Sequence, residues 1–290
     1  MRLKVHHRTE YAYTNPVSSN SNELRLSPKL TSNQKVESNF ISVLPATRLT
    51  RFTDLNFNRV HYFTVPQAHD NLVIDSRFTV ETKKPFARDS LPYGCEHDQL
   101  KECTKIDACY TYLQDSRFVE KTPQIWKEAL DIRADSNDVF ETSYALMNFI
   151  FSDFTYASGA TQVTTHASEV IRGRTGVCQD FAHAMTAYCR SINIPARYVS
   201  GYIYDSTRDQ NLRGSEASHA WVEIYAGKYG WIGLDPTNCK VVDETYVVLA
   251  YGRDYRDVAP VIGTYFGGGG SHLNIRVIVE CLQAKASSEF

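Results

Sequence analysis

The chain has 290 residues, of which 42% are apolar and 22% are charged, as is typical of a globular protein with a substantial core. The formal net charge of −2 argues against nucleic acid as a partner, because binding a phosphate backbone requires a concentrated basic face. No stretch approaches the roughly 18 apolar residues of a membrane span, and residues 1–7 lack the apolar segment of a secretory signal. We therefore expect a cytoplasmic protein with neither nucleic acid nor a membrane as its partner.

The cysteines number seven, an odd count, and their scattered positions do not fit a disulfide framework. No Cys-x-x-Cys pair is present, and the group Cys95, His97, Cys103 and Cys109 has the spacing of no common zinc motif. We therefore expect no metal and no cofactor, with several reduced thiols packed as small apolar side chains.

Residues 1–90 have the pattern of a β domain. Apolar and polar residues alternate with period two over 23–28. Further strand candidates at 36–44, 58–65 and 72–83 are separated by Pro, Asn and Asp. Several short strands with regular turn signals predict a small β-sandwich or a barrel-like domain.

A polar, irregular stretch at 84–121 predicts a linker with loops. Helical patterns then begin at Thr122-Pro123, which reads as an N-cap followed by a first-turn proline. Either Ser136 or Asp138 is expected to cap the next helix.

The segment Gly176-Val177-Cys178-Gln179-Asp180 places a cysteine where a loop becomes a helix. The positive end of the helix dipole favours a thiolate there, and the first-turn N–H groups, including that of Cys178, are candidate donors to an oxyanion. Apolar residues with helical spacing predict one buried stripe on this helix: Phe181, Met185, Tyr188 and Ile192.

Sheet patterns dominate the rest of the chain. A strand is predicted at 196–204, followed by a polar loop at 205–215 that is a lid candidate by position and composition. Two strands, at 218–225 and 229–235, form a predicted hairpin, and a final strand covers 273–282.

The hairpin brings a histidine and an aspartate together. If Gly227 is its centre, the numbers of facing residues sum to 454, which makes His219 and Asp235 direct cross-strand partners with Cβ atoms about 5 Å apart. Alternation also puts an apolar set on one face of the hairpin and a polar and aromatic set on the other. The polar face, which we expect to line a cleft, contains His219, Trp221, Glu223, Trp231 and Asp235.

Cys178, His219 and Asp235 together suffice for thiolate attack on a carbonyl, as nucleophile, base and orienting group. Each also has an ordinary structural interpretation, as a small core residue, a histidine at a strand start and a turn residue. His183 is a rival base. It lies at i+5 from the cysteine and points away from the sulfur, so we expect a structural role for it.

Five further residues are weaker candidates for the cleft. Gln179 and Asp180 would line its mouth or interact with the helix dipole. Tyr156 and Tyr202 would supply a second oxyanion donor, with simple packing as the alternative. Trp221 shares the face of the hairpin that carries the histidine.

Four motifs carry a resemblance to a known family. GVCQDFAH at 176–183, PARYVSGY at 195–202, SHAWVEIY at 218–225 and GWIGLDPTN at 230–238 resemble the bacterial transglutaminase-like family of the transglutaminase/papain-like superfamily. The resemblance extends over nearly the whole chain.

The resemblance implies an α+β fold in two parts. A β domain over 1–90 would precede a papain-like transglutaminase core over 91–290, in which the catalytic cysteine begins a helix packed on an antiparallel sheet. It also implies a triad of Cys178, His219 and Asp235, and acyl transfer through a thioester formed from an amide.

Hydrolysis of a protein or peptide substrate, by a peptidase or amidase, is the first expectation for the reaction. A protein-glutamine transglutaminase with an amine acceptor is the enzymatic alternative. A non-catalytic binding module that retains the fold is the alternative of a different class.

Overall fold

The computed structural model describes residues 1–86, 90–205, 213 and 218–282. The chain starts with five strands: β1 (Arg2–Leu24), β2 (Gln34–Leu44), β3 (Thr50–Thr53), β4 (Arg59–Val65) and β5 (His69–Thr82). The middle third is mainly helical: α1 (Asp107–Tyr110), α2 (Pro123–Arg133), α3 (Val139–Asp153), β6 (Thr155–Tyr156), α4 (Ala167–Gly173), β7 (Thr175–Gly176) and α5 (Cys178–Ser191). The rest is mostly sheet: β8 (Ala196–Ile203), β9 (His219–Tyr225), β10 (Trp231–Asp235), β11 (Lys240–Val241), β12 (Tyr246–Gly252), α6 (Tyr255–Val258), β13 (Val261–Phe266) and β14 (Ser271–Cys281).

The long strand β1 organises the N-terminal sheet, which comprises β1 to β5, β13 and β14. Its first half pairs with β5 and β14, and its second half pairs with β4 and β13. Between the halves the register breaks, with a positive φ at Ser19. Apolar residues of the strands that pair with both halves share one buried cluster, among them Leu24, Val43, Phe63, Val65, Leu72 and Ile74.

The C-terminal strands β13 and β14 return to the N-terminal sheet and pair with β1. Leu3 pairs with Cys281, and Tyr13 with Ser271. The predicted division into 1–90 and 91–290 assigned this segment to the core region, and in the structure it pairs with β1 of the N-terminal sheet. The sequence pattern identified the last strand, but a strand pattern does not specify its partner.

The core sheet is antiparallel, with the order β11-β10-β9-β8-β12, and α5 packs against one of its faces. Helix α5 is buried on nearly all sides, from Asp180 to Ser191, and not only along the predicted stripe. Helices α2, α3 and α4 cover its other sides, sharing one apolar cluster with it. A helix surrounded in this way is the centre of a core. Among the helices in the described ranges, none has the length and apolar character needed to cross a membrane.

The predicted caps of α2 and α3 are confirmed. The Thr122 side chain accepts a hydrogen bond from the backbone of Ile125, with Pro123 in the first turn. Of the two alternatives for α3, Asp138 is the cap and accepts from the backbone of Glu141 at 2.9 Å.

The predicted linker over 84–121 is largely part of the core. A 3-10 helix (His97–Lys105) and α1 occupy its middle. Cys95, Cys103 and Cys109 are buried in the same apolar cluster as α5. The sequence predicted a linker because most residues of this stretch are polar, and only a few of its side chains pack in the core.

Candidate active site

Cys178 is the first residue of α5, and its side chain is half-buried. The helix starts abruptly because the Asp180 carboxylate accepts a hydrogen bond from the backbone N–H of Val177 at 2.8 Å. A Cβ atom on Gly176 would lie 2.6 Å from the Cβ of Asp180, so only glycine allows this close approach. The thiol therefore lies at the positive end of the helix dipole, as predicted, where a thiolate is favoured.

His219 and Asp235 form a buried pair. His219 begins β9, Asp235 ends β10, and Nε2 lies 2.8 Å from Oδ2. Both side chains are 0% exposed. The carboxylate also accepts from the Tyr246 hydroxyl and the Asn238 side-chain amide, each at 2.8 Å, and from the backbone N–H of Thr237 at 2.9 Å. These donors fix the carboxylate, which in turn fixes the imidazole with its proton on Nε2.

The charges of this pair stabilise each other. Burial alone would raise the pKa of Asp235, but the charge and the hydrogen bond of His219 hold it below its ordinary value. Burial alone would lower the pKa of His219, but the charge and hydrogen bond of Asp235 raise it well above its ordinary value. The pair therefore favours an imidazolium beside a carboxylate at neutral pH.

The second imidazole nitrogen faces a different environment. His219 Nδ1 has no hydrogen-bond partner among the described residues. Cys178 lies close enough to contribute to the raised pKa of His219, although Nδ1 and the sulfur do not meet at hydrogen-bond geometry in this structure. Hydrogen bonds between a nucleophile and its base are often loose in the absence of substrate, so this geometry is compatible with such a pair. Nδ1 is thus the nitrogen available to exchange a proton with the thiol.

The hairpin that carries His219 and Asp235 has a different register from the predicted one. The numbers of facing residues sum to 456, as in the pair Leu234–Val222, and not to 454. Continued to the end of β10, this register puts Asp235 level with Trp221. His219 is then a diagonal neighbour, so the prediction of direct facing was wrong. The turn is centred one residue later than assumed, a shift that keeps both side chains on one face.

Tyr156, a candidate for the second oxyanion donor, lies near the cysteine. It pairs with Gly176 between the short parallel strands β6 and β7. Burial and the neighbouring Cys178 raise the pKa of its hydroxyl. The phenol therefore stays protonated at neutral pH and is a potential donor on this side of the thiol.

The first turn of α5 also fixes the loop after β6. The Gln179 side chain donates to the carbonyl of Val163 at 3.1 Å, and the Thr161 hydroxyl donates to Asp180 Oδ2 at 2.5 Å. Burial raises the pKa of Asp180. Both residues therefore support the wall of the site next to Cys178.

Two predicted residues lie away from the thiol. The Tyr202 hydroxyl is hydrogen-bonded to His7 of β1 at 2.7 Å, and its ring packs against the N-terminal sheet, so its assignment as an oxyanion donor was wrong. Alternation puts Tyr202 on the same face of β8 as Tyr198, which packs with α5, but at Tyr202 the N-terminal sheet covers that face. His183 accepts a hydrogen bond from the backbone of Tyr255, and burial lowers its pKa to about 4, which agrees with a structural role.

Trp221 packs against the ring of His219 in the protein interior. Its ring stacks on that of His219, with centroids 6.2 Å apart and an interplanar angle of 30°. It is fully buried. A Cβ on Gly201 would come within 2.5 Å of the indole, so glycine at this position makes room for it. Trp221 thus packs beneath the site and does not line an open cleft.

The predicted lid at 205–215 lies mostly outside the described residues, which include only Asp205 and Arg213 of it. The backbone N–H of Arg213 donates to the Asn238 side chain at 3.0 Å. Its guanidinium lies over the ring of Tyr156, 5.3 Å from the centroid. Arg213 therefore connects the Asp235 side of the site to the Cys178 side.

Sequence reasoning missed two residues that hold Asp235. Asn238 follows it in an Asp-Pro-Thr-Asn turn, and side chains in such turns commonly bond to neighbouring polar groups, so a signal was present. Tyr246 lies in an apolar strand whose position next to Asp235 depends on the tertiary fold, and its sequence carries no such signal.

Comparisons with known proteins extend this description. The model described as the transglutaminase-like superfamily matches residues 128–236, which include Cys178, His219 and Asp235. The model described as the bacterial transglutaminase-like N-terminal region matches residues 3–81.

Two mycobacterial relatives match along nearly their whole length. The uncharacterized protein ML0607 of Mycobacterium leprae is 33% identical over 279 residues, covering 95% of this chain and 97% of its own. The uncharacterized protein Rv2569c of Mycobacterium tuberculosis is 33% identical over 277 residues, covering 91% and 88%.

Two further matches carry functional names. The crystal structure of a candidate cysteine protease from Cytophaga hutchinsonii is similar over 98% of this chain and 92% of its own, with a TM-score of 0.78 and 25% identity. A protein-glutamine gamma-glutamyltransferase of Pseudomonas aeruginosa is 37% identical over 70 residues, which is 22% of this chain and 10% of that protein.

Proposed function

The chain belongs to the transglutaminase-like superfamily, and from this we propose that it is a cysteine-dependent enzyme that acts on amide or peptide bonds through a thioester. The observation that carries the proposal is the fully buried His219–Asp235 pair, joined at 2.8 Å, beside a cysteine that begins a buried helix. Because burying two charges costs free energy of desolvation, such a pair beside a thiol is better explained by a role in chemistry than by stability alone.

Each residue has a defined role in the proposed reaction. The Cys178 thiolate attacks the substrate carbonyl, and a first-turn N–H of α5 donates to the oxyanion that forms. The His219 imidazolium gives its Nδ1 proton to the departing amine, which leaves a thioester on the sulfur. Water then loses a proton to His219 and attacks the thioester, which releases the acid and returns the thiolate and imidazolium. Asp235 orients the imidazole throughout.

Hydrolysis is the proposed outcome because it requires no second specific site for an acceptor. The candidate cysteine protease of Cytophaga hutchinsonii supports this choice. The local similarity to a protein-glutamine gamma-glutamyltransferase supports the alternative, in which a primary amine replaces water. A protein or peptide is the proposed substrate in both cases, and the cytoplasm is the proposed location.

A panel of glutamine-containing and other peptides, with and without a primary amine, separates the two reactions. Hydrolysis predicts the free acid as the main product even when amine is present. Transamidation predicts that most of the product carries the amine. Neither product is expected from Cys178→Ala, and formation of either one by that variant would refute the proposed nucleophile.

Alkylation tests the alternative of a non-catalytic module. We expect iodoacetamide to modify Cys178 about tenfold faster than Cys281 at mildly acidic pH, since only the first lies at a helix N-terminus. Cys281 is a natural control because both thiols are half-buried. Burial raises the pKa of Cys109 and Cys189 to about 12, so these should react least. Equal rates for Cys178 and Cys281, measured by mass spectrometry, would favour the binding module.

A further inference from the structure

The edge of the core sheet is held by two side-chain amides of the N-terminal sheet and its loops. Strand β12 is the last strand of the core sheet. Gln34 accepts from the backbone N–H of Val248 at 2.9 Å and donates to its carbonyl at 2.8 Å. Asn58 does the same to Tyr251, at 2.9 and 2.7 Å. Each amide thus makes the two bonds that a neighbouring strand would make to an edge.

The same strand carries a hydroxyl to Asp235. Tyr246, the first residue of β12, is 3% exposed, and its hydroxyl donates to Asp235 Oδ2 at 2.8 Å. Its ring lies 5.2 Å from that of Trp221 and 6.3 Å from that of His219, measured between centroids. Val248, which Gln34 holds, is only two residues away along the strand.

We propose that the N-terminal sheet positions Asp235 for catalysis, acting through Gln34 on β12 and through Tyr246 as the positioning residue that touches the carboxylate. This inference rests on the proposed function. It gives the N-terminal region a role in the chemistry although it contributes no residue to the predicted triad.

The physical basis of this proposal is that three hydrogen-bond donors converge on one oxygen atom. Oδ2 of Asp235 accepts from His219, Asn238 and Tyr246 at once. Hydrogen bonds to a carboxylate are about twice as strong as neutral ones, so the direction of these donors determines where the oxygen lies. Asn238 follows Asp235 closely and moves with it, whereas Tyr246 comes from a strand anchored elsewhere. Tyr246 is therefore the donor that fixes the position of the Asp235 carboxylate relative to β12.

Removal of the hydroxyl tests the direct step. We expect Tyr246→Phe to lower kcat by about tenfold with KM nearly unchanged. The direction of the imidazole matters in the steps that transfer protons and not in substrate binding. The matched control is Tyr251→Phe. It removes a buried hydroxyl from the same strand, but one that interacts with Glu223 and not with Asp235. Equal losses of kcat in the two variants would overturn the role of Tyr246.

A double-mutant cycle tests the link to the N-terminal sheet. Gln34→Leu keeps the approximate volume of the side chain and removes both bonds to Val248. We expect it to lower kcat severalfold in the natural background and to have almost no further effect in Tyr246→Phe. Fully additive losses would show that Gln34 does not act through Tyr246, and would overturn the coupling.

A measurement that needs no substrate separates this inference from the proposed function. The proton between His219 Nε2 and Asp235 should give a far-downfield NMR resonance. We expect Tyr246→Phe and Gln34→Leu to shift it, and Tyr251→Phe to leave it unchanged. If Cys178 proves unreactive but the resonance shifts as expected, the proposed function fails while the positioning role stands. An unshifted resonance in both variants refutes the positioning role even if the enzyme is active.

Discussion

At the scale of single residues, the Asp235 carboxylate is the most constrained group of the site. It has 0% side-chain exposure and accepts from His219, Tyr246, Asn238 and Thr237. The identity of the predicted triad followed from residue types and strand alternation. The donor Tyr246 did not, because its contact joins distant segments and depends on packing that no local pattern specifies. Asn238 lies three residues from Asp235, in a turn that did carry a local signal.

Replacing Asp235 with Asn should abolish most activity. The neutral Asn amide attracts the imidazolium less strongly than the Asp carboxylate does. The amide can also present its NH2 group to Nε2 in place of its oxygen, whereas the carboxylate always accepts. We expect kcat to fall by about 1,000-fold in steady-state assays of the purified variant. The fold should persist, because the amide still fills the same volume. A fall of less than about tenfold would contradict an orienting role for Asp235.

The pH dependence of stability provides a second test of the same pair. Asp235 raises the pKa of His219 from 6.5 to about 10 on folding, so this contribution to stability is complete below 6.5. It should be lost as the pH rises through about 10. We therefore expect the free energy of unfolding of the natural protein to fall between these values, and that of Asp235→Asn to fall less. Urea unfolding across this range measures both, and parallel curves would contradict the ion pair.

At the scale of elements, the site depends on how closely β8 and β9 lie against each other behind His219. Gly201 of β8 pairs with His219, and the Trp221 ring covers it. The sequence predicted both strands and the start of α5, since caps, turns and alternation are local. It did not predict that α5 would be buried all round, because that depends on which helices pack against it.

A methyl group added at Gly201 should disturb this packing. In Gly201→Ala the Cβ would lie 2.5 Å from the Trp221 indole and still closer to the carbonyl oxygen of Val247. We expect a loss of about 1–3 kcal/mol in the free energy of unfolding, measured in urea. Gly173→Ala is the control, since no atom lies within 4 Å of its added Cβ, and it should be neutral. Similar losses in both variants would argue against steric crowding at Gly201.

At the scale of the whole molecule, β1 connects regions that the sequence suggested were separate. Its pairing with β13 and β14 makes the N-terminal sheet dependent on the end of the described chain. Composition and periodicity predicted the strands and the two kinds of region, but the return of the C-terminal segment is a non-local pairing. Such pairings are the part of a topology that local patterns determine least.

Charge substitutions in β14 should reveal its two faces. Val279 packs against the apolar cluster formed by the N-terminal and core sheets, whereas Ile278 is exposed beside Lys4 and Arg77. We expect Val279→Glu to lower the free energy of unfolding by about 2 kcal/mol or more because it buries a charge. Ile278→Glu should change it by less than about 0.5 kcal/mol. Equal effects of the two substitutions on urea unfolding would contradict the pairing of β14 with β1.

The pairing of Leu3 with Cys281 also has a consequence for biosynthesis. Strand β1 is synthesised well before β14, so one of its flanks has no partner until that later strand has been made. During that interval a long strand with an open edge is exposed to other nascent chains, and open edges promote intermolecular pairing. The core helices and β8 to β12 find most of their partners nearer in the chain, so they can assemble before β1 has paired with β14. Chaperones that bind extended segments should therefore associate with this protein through β1 during the interval before β14 is made.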